Sequence, residues 1–226
     1  ACNGLSYMSR QRGRAKYSNI DLLEKSRYIG FKHLILKGNI MDFDLLFNKF
    51  PNEIIPYDYA AYAESDERFE MVTTSCRTGQ ACYYDEKHDP ERIIDIVKAS
   101  SSLPFVSPIS YVDGEPMLDG GIADSIPLLR ARAEGFDNNL VVLTRNRGYR
   151  KSEGSLFMLP LFYCRYPRLR EAIKRRNALY NEQISYVEEQ EEAGLLTVIR
   201  PECPIEVDRM ERDTRKLLRL YDEGYA

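Results

Sequence analysis

The residues best suited to chemistry are Asp119-Gly120-Gly121. They follow the strand-like stretch Glu115 to Leu118, so the carboxylate falls where a strand has ended. Open α/β sheets collect ligands and reactive groups at such places. Two successive glycines let the backbone pass close to a substrate and turn its N–H groups toward the carboxylate. Such N–H bonds favour the ionised form that a general base needs. A plain glycine loop also accounts for these three residues, and on local spacing alone it is the simpler reading. A second Asp-Gly step, Asp113-Gly114, sits between alternating strand residues, and turn chemistry explains it fully.

Other chemistries find less to work with. The sequence has no G-x-x-x-x-G-K, G-x-G-x-x-G, H-E-x-x-H or S-x-x-K, so phosphate-loop, dinucleotide, zincin and Ser-Lys readings lack their motifs. Of its 2 histidines, His33 lies in the apolar stretch Phe31 to Ile35 and His88 in a polar turn; both read as structural or solvated. A glycosidase-like carboxylate pair of Asp119 with Asp124 or Glu115 has no motif behind it. The 5 cysteines, Cys2, Cys76, Cys82, Cys164 and Cys203, show no C-x-x-C spacing, which supports neither a zinc site nor a disulfide framework. No metal and no cofactor is expected. In one register Cys76 and Cys82 face each other across a hairpin, though two free thiols is the plainer reading.

Composition narrows the partners. With 43% hydrophobic and 30% charged residues the chain is ordinary globular protein. A formal charge of −3 gives no whole-molecule attraction to nucleic acid or membrane, so nucleic acid is not an expected partner. The longest apolar run, Leu156 to Cys164, is too short for a bilayer crossing and contains Pro160. No signal peptide is visible, so the cytoplasm is the expected location. One local patch stands out: Arg165, Arg168, Arg170, Lys174, Arg175 and Arg176, preceded by Phe162, Tyr163 and Tyr166. It could hold an anionic lipid surface, with the aromatics at the interface. The acids Glu182 to Glu192 further along make a solvated helix with segregated charge an equal account.

The elements that must position Asp119 are legible from pattern. Residues 1–16 read as a helix with a basic end, and Asn19 or Asp21 caps a second through Leu22, Leu23 and Tyr28. Asp42 or Asp44 opens a helix over Leu45 to Phe47, and Pro51 and Pro56 punctuate the chain beyond it. Met71 to Thr74 and Ala81 to Tyr84 form a hairpin around Arg77-Thr78-Gly79. Asp89 caps a helix with Pro90 at its first position and a broad buried face, Ile93, Ile94, Ile96, Val97 and Ala99. Ile109 to Val112 and Glu115 to Leu118 form a second hairpin, in which Pro116 predicts an edge strand. A helix over Ile126 to Ala133 is closed by Gly135, and Leu140 to Leu143 reads as a strand covered on both faces. Pro167 to Ala193 is the longest helix, stopped by Gly194, with Leu169, Ile173, Tyr180, Ile184 and Val187 on one stripe. Leu195 to Ile199 is a strand, and Asp208 to Tyr221 a last helix. Alternating strands and helices predict an α/β layer sandwich.

Ala99-Ser100 through Pro104, Asp119-Gly120-Gly121 and Ile126-Pro127-Leu128 together resemble the patatin-like phospholipase family. The opening Ala1-Cys2-Asn3-Gly4 resembles the start of the helix that leaves the Gly-x-Ser-x-Gly nucleophile elbow in its bacterial branch. The region from Tyr163 to Pro201 resembles the C-terminal part of the same branch. This resemblance implies a three-layer α/β/α sandwich of the patatin type, with the first strands of the central sheet absent from the chain. It implies a patatin-like catalytic domain over 1–145 and a helical and strand extension over 146–226 packed on it. By the same resemblance Asp119 is the partner of a serine in a Ser-Asp dyad, supported by Gly120 and Gly121, and the substrate is a lipid or other carboxylic ester. Leu103, Pro104, Phe105 and Val106 are candidates for lining the acyl channel, and Arg165, Arg168, Lys174, Arg175 and Arg176 for peripheral membrane contact. No Gly-x-Ser-x-Gly occurs in the 226 residues, so the expectation is a chain truncated about three positions after its serine and inactive alone. The alternative is a non-catalytic patatin-like domain that binds lipid or a partner.

Overall fold

Two hairpins build the main sheet in the computed structural model, which describes residues 1–11, 13–16, 20, 43–152, 162–207, 211 and 213–225. The helix predicted through Leu22 and Tyr28, His33, and most of the apolar run from Leu156 lie outside the described residues. In the first hairpin β1 (Met71–Ser75) runs antiparallel to β2 (Ala81–Tyr84), with Thr73 opposite Cys82. Cys76 thus falls beyond β1 rather than opposite Cys82, and both thiols are free. The second hairpin joins β3 (Ser110–Val112) to β4 (Glu115–Asp119). Its turn residues Asp113 and Gly114 have φ of 53° and 78°, the paired left-handed geometry that matches strand twist.

The strand order is β2-β1-β4-β3, so β4 is interior and Pro116 does not mark an edge. The proline is tolerated because β1 ends at Ser75, opposite Met117. Cys76 still donates its N–H to the Pro116 carbonyl at 2.9 Å, and the bond that Pro116 cannot donate falls where the ladder has finished.

Helices cover both faces. On one lies α4 (Pro90–Ser100), whose cap Asp89 accepts from the N–H groups of Glu91 and Arg92, each at 3.1 Å. Its predicted apolar face is buried in full and packs with Met71, Val112 and Met117. Leu5 and Met8 of α1 (Cys2–Met8) join the same core. On the other face α6 (Pro167–Glu192) sets Leu169 and Ile173 against Cys76, Leu118 and Ile122. Adjacent residues of β4, Met117 and Leu118, therefore point into different cores, as the strand period requires.

Between α1 and β1 lie α2 (Leu45–Ile54) and the short α3 (Tyr59–Ala63). Pro51, expected as punctuation, sits inside α2, which has wide i→i+5 spacing at its end (Ile55 N–H to Phe50 O, 2.9 Å). Beyond the main sheet, α5 (Leu128–Ala133) is followed by β5 (Leu140–Val142), which pairs in parallel with β6 (Thr197–Ile199). The helix α6 makes the crossover between these two strands, as a parallel pair demands. Contrary to the expectation of a strand covered on both faces, Leu140 and Val142 are 58% and 67% exposed. Only Val141 and Leu143 turn inward, onto the cluster of Leu128, Val187 and Leu196. The last helix, α7, spans Thr214–Tyr225.

Candidate active site

Asp119 is the last residue of β4 and the cap of a tight helical turn, Gly120–Ile122. Its backbone is held from two sides: its N–H donates to the Ser102 carbonyl at 2.9 Å, and its carbonyl accepts from Thr74 Oγ1 at 2.9 Å. Its carboxylate Oδ1 accepts from the Gly121 N–H at 2.7 Å. Among the described residues no donor reaches Oδ2. One oxygen is thus anchored and the other is available for a proton.

Space requires glycine at 120 and favours it at 121, where the crowding is with the Asp119 side chain alone. A Cβ on Gly120 would lie 2.4 Å from the Val72 carbonyl oxygen, and one on Gly121 would lie 2.9 Å from Asp119 Oδ1. Gly120 lets the turn press against the backbone of β1, and Gly121 lets its own N–H approach the carboxylate. The Asp-Gly-Gly triplet is therefore more than a flexible loop; a side chain at either glycine would push this cap apart.

Electrostatics at Asp119 differ in one respect from the sequence expectation. Burial raises its carboxyl above the usual carboxylate range, and this outweighs the lowering by the Gly121 N–H. The positive charges of Arg176 and of Lys151 also act to lower it, Arg176 the more strongly. Arg176 was grouped by sequence with the outward basic patch, yet it is half-buried on α6 and its charge acts on Asp119. The only sequence signal for this role was its place in that cluster; nothing marked Lys151 at all.

The N-terminal end of α1 shares this corner. Cys2 Sγ lies 3.8 Å from Ser101 Oγ, one residue from the carbonyl that holds the Asp119 N–H. The loop of expected acyl-lining residues follows directly. Pro104 is buried, Leu103 and Val106 are half-buried, and Phe105 is exposed with a left-handed φ of 67°. The Phe105 N–H donates to Tyr163 Oη at 3.0 Å, and its ring contacts Phe162 and Tyr163.

The remaining candidates separate. Glu115, at the far end of β4, pairs with Arg77 at 2.9 Å, and four strand steps put it about 13 Å along the strand from Asp119, too far for paired carboxylates. Asp124 accepts from Tyr83 Oη and Gln183 Nε2, each at 2.6 Å, and is committed to joining the sheet to α6. Arg165, Arg168, Lys174 and Arg175 are exposed, in contrast to Arg176. Among the described residues no cluster of three or more His, Cys, Asp or Glu side chains could hold a metal ion, and no helix is long and apolar enough to cross a membrane.

An α/β protein with a strand-end carboxylate, one oxygen anchored by a glycine N–H, defines a class in which acid–base chemistry is available at the end of an interior strand. Residues 1–132, more than half of the chain, match the family described as patatin-like phospholipase. The chain belongs to that family, whose members are lipid acyl hydrolases. Residues 166–226 match a domain of unknown function (DUF6363). No curated protein matches the chain.

Proposed function

We propose that Asp119 is the general base of a serine acyl hydrolase acting on lipid or other carboxylic esters. The nucleophile of this reading is a serine on a Gly-x-Ser-x-Gly elbow immediately upstream of α1. Its hydroxyl proton passes to Asp119 Oδ2 as the oxygen attacks the ester carbonyl; the alcohol leaves with that proton, and an acyl-enzyme remains. Water then attacks the acyl carbonyl, with Asp119 again taking and returning the proton. Gly120 and Gly121 position the base.

The observation that carries this reading is the convergence of the Asp119 carboxylate with the start of α1, where an elbow serine would stand. The raised Asp119 carboxyl supports it too, because a base is most effective when its pKa lies nearer the working pH. The loop Leu103 to Val106, next to the Ser102 carbonyl, is the proposed acyl-channel wall. We divide the chain at 145/146, the second part being an extension whose α6 carries Arg176. The proposed setting is cytoplasmic, with the ester met at a membrane surface.

The test uses the coding sequence extended upstream by about fifty residues, enough for a strand-helix-strand unit. A fluorophosphonate probe should add once, on the elbow serine, as read by intact mass and peptide mapping. Asp119→Asn should abolish labelling and ester turnover while leaving the melt cooperative. No adduct on a folded protein would point instead to a patatin-like domain that binds lipid or a partner without turning it over.

A further inference from the structure

The basic residues of α6 that do not face Asp119 line a cleft with properties of its own. Its volume is about 630 Å³, and it lies between the β1–β2 turn (Thr78, Gly79, Gln80) and the outer face of α6. Arg168, Lys174 and Arg175 stand on the helix wall with Glu171, so the cleft carries three cations against one carboxylate. Six arginines elsewhere, Arg68, Arg77, Arg92, Arg130, Arg150 and Arg200, each pair with a carboxylate within 4 Å. Among the described residues Arg168, Lys174 and Arg175 make no such pair. In a chain of net charge −3, three unneutralised cations lining one concavity give it a local positive field.

The walls are fixed in place. A Cβ on Gly79 would lie 2.6 Å from the Arg168 carbonyl oxygen, so the hairpin turn sits tightly on the first turn of α6. Ile122 and Ala123 also line it, and they belong to the chain that leaves Asp119 through its glycine turn. The lining residues carry donors on both walls: Arg168, Arg175 and Lys174 on α6, Thr78 and Gln80 on the turn.

We infer that this cleft binds a phosphate group. Paired guanidinium forks match the oxygens of a phosphate in geometry and charge, and the ammonium adds a point charge beside them. Glu171 is placed to accept from a hydroxyl or ammonium carried by the same ligand. The ligand class is therefore a phosphate ester with a small polar substituent, either the headgroup of a phospholipid or a soluble phosphate ester. The site stands on its own residues and does not depend on Asp119 being catalytic.

The experiment measures binding, not turnover, with the full-length protein. The probes are glycerol 3-phosphate, acetate as a carboxylate control, and vesicles of phosphatidylglycerol. The variants are the triple change Arg168→Gln, Lys174→Gln, Arg175→Gln and, as a charge control on α7, Arg215→Gln, a residue 89% exposed. Glycerol 3-phosphate should bind the wild type and Arg215→Gln alike, acetate should not compete, and the triple variant should weaken binding at least tenfold. If vesicles also depend on the three residues, the source is a lipid headgroup; if only the soluble ester does, the source is a free phosphate ester. Equal binding of glycerol 3-phosphate by the wild type and the triple variant would overturn the inference. So would vesicle binding without any soluble-ester binding, which would be general surface charge.

Discussion

Replacing Gly120 with Ala is the sharpest test of how the candidate base is held. The added Cβ would meet the Val72 carbonyl oxygen at 2.4 Å, about 1 Å inside ordinary van der Waals contact, and the Val72 carbonyl carbon at 2.6 Å. Neither atom can move aside cheaply, because Val72 is paired with Tyr83 in the β1–β2 ladder and β1 is also paired with β4. The turn must lift instead, stretching the 2.9 Å bonds that tie Asp119 to Ser102 and to Thr74. Overpacking of this kind costs about 1–3 kcal/mol, and weakening one of those bonds adds roughly 1 kcal/mol. A total of about 2–4 kcal/mol lowers the melting midpoint of a domain this size by about 4–16 °C. The assay is a thermal melt of the full-length protein by circular dichroism, with Gly13→Ala as the matched control. Nothing lies within 4 Å of a Cβ on Gly13 and its φ is not left-handed, so that change should be neutral or stabilise by up to about 1 kcal/mol. A G120A midpoint indistinguishable from that of the wild type would refute the close-approach argument.

Three further outcomes rest on named contacts. Arg176→Gln removes a charge that lowers the Asp119 carboxyl, so the acid limb of the pH–kcat/KM profile should move to higher pH; an unmoved limb counts against the coupling. Asp119→Asn should raise the melting midpoint at pH 7. A carboxyl raised by folding binds its proton more tightly folded than unfolded, so its ionisation subtracts stability, and the gain should shrink as pH falls toward the unfolded value of about 3.9. Asp89→Ala deprives the Glu91 and Arg92 N–H groups of their acceptor and should cost about 1 kcal/mol, read as a fall of about 2–4 °C in the melt.

Local signals with a single physical cause were legible in the sequence. Asp89-Pro90 announced α4, Asp113-Gly114 its hairpin, and Gly135 and Gly194 two helix ends. Both glycines close the same motif: the Gly135 and Gly194 N–H groups bond the Arg132 and Glu191 carbonyls, and the next N–H reaches one residue further back. The end of α1 uses that motif as well, but with Arg10 at a φ of 56° in place of glycine, so the helix predicted over residues 1–16 breaks at Met8 without a readable signal and resumes as one short turn over Arg14–Lys16. Pro116 misled for a related reason. Its meaning depends on where the neighbouring strand stops, which is a tertiary fact. The apolar run at β5 misled because hydrophobicity reports what a strand could bury, whereas Leu140 and Val142 face outward from a two-stranded ribbon. For the site itself, the Asp-Gly-Gly triplet was visible, but the reason for each glycine was not, since it lies in Val72 and in the carboxylate's own geometry.

The two matched segments, 1–132 and 166–226, are physically interdependent at the site. Leu169 and Ile173 of the second cover Leu118 and Ile122 of the first, the residues immediately before and after the Asp-Gly-Gly turn. Gly79 of the first is pressed on the Arg168 carbonyl of the second. Gln183 of the second holds the Ser125 and Ile126 N–H groups, each at 3.2 Å, together with Asp124. Arg176 then sets part of the charge balance of Asp119. Burial that raises the carboxyl and the cation that lowers it both come in part from α6. The same helix that shields the candidate base from water also keeps it ionisable, and these two effects cannot be separated by changing the Asp-Gly-Gly turn alone.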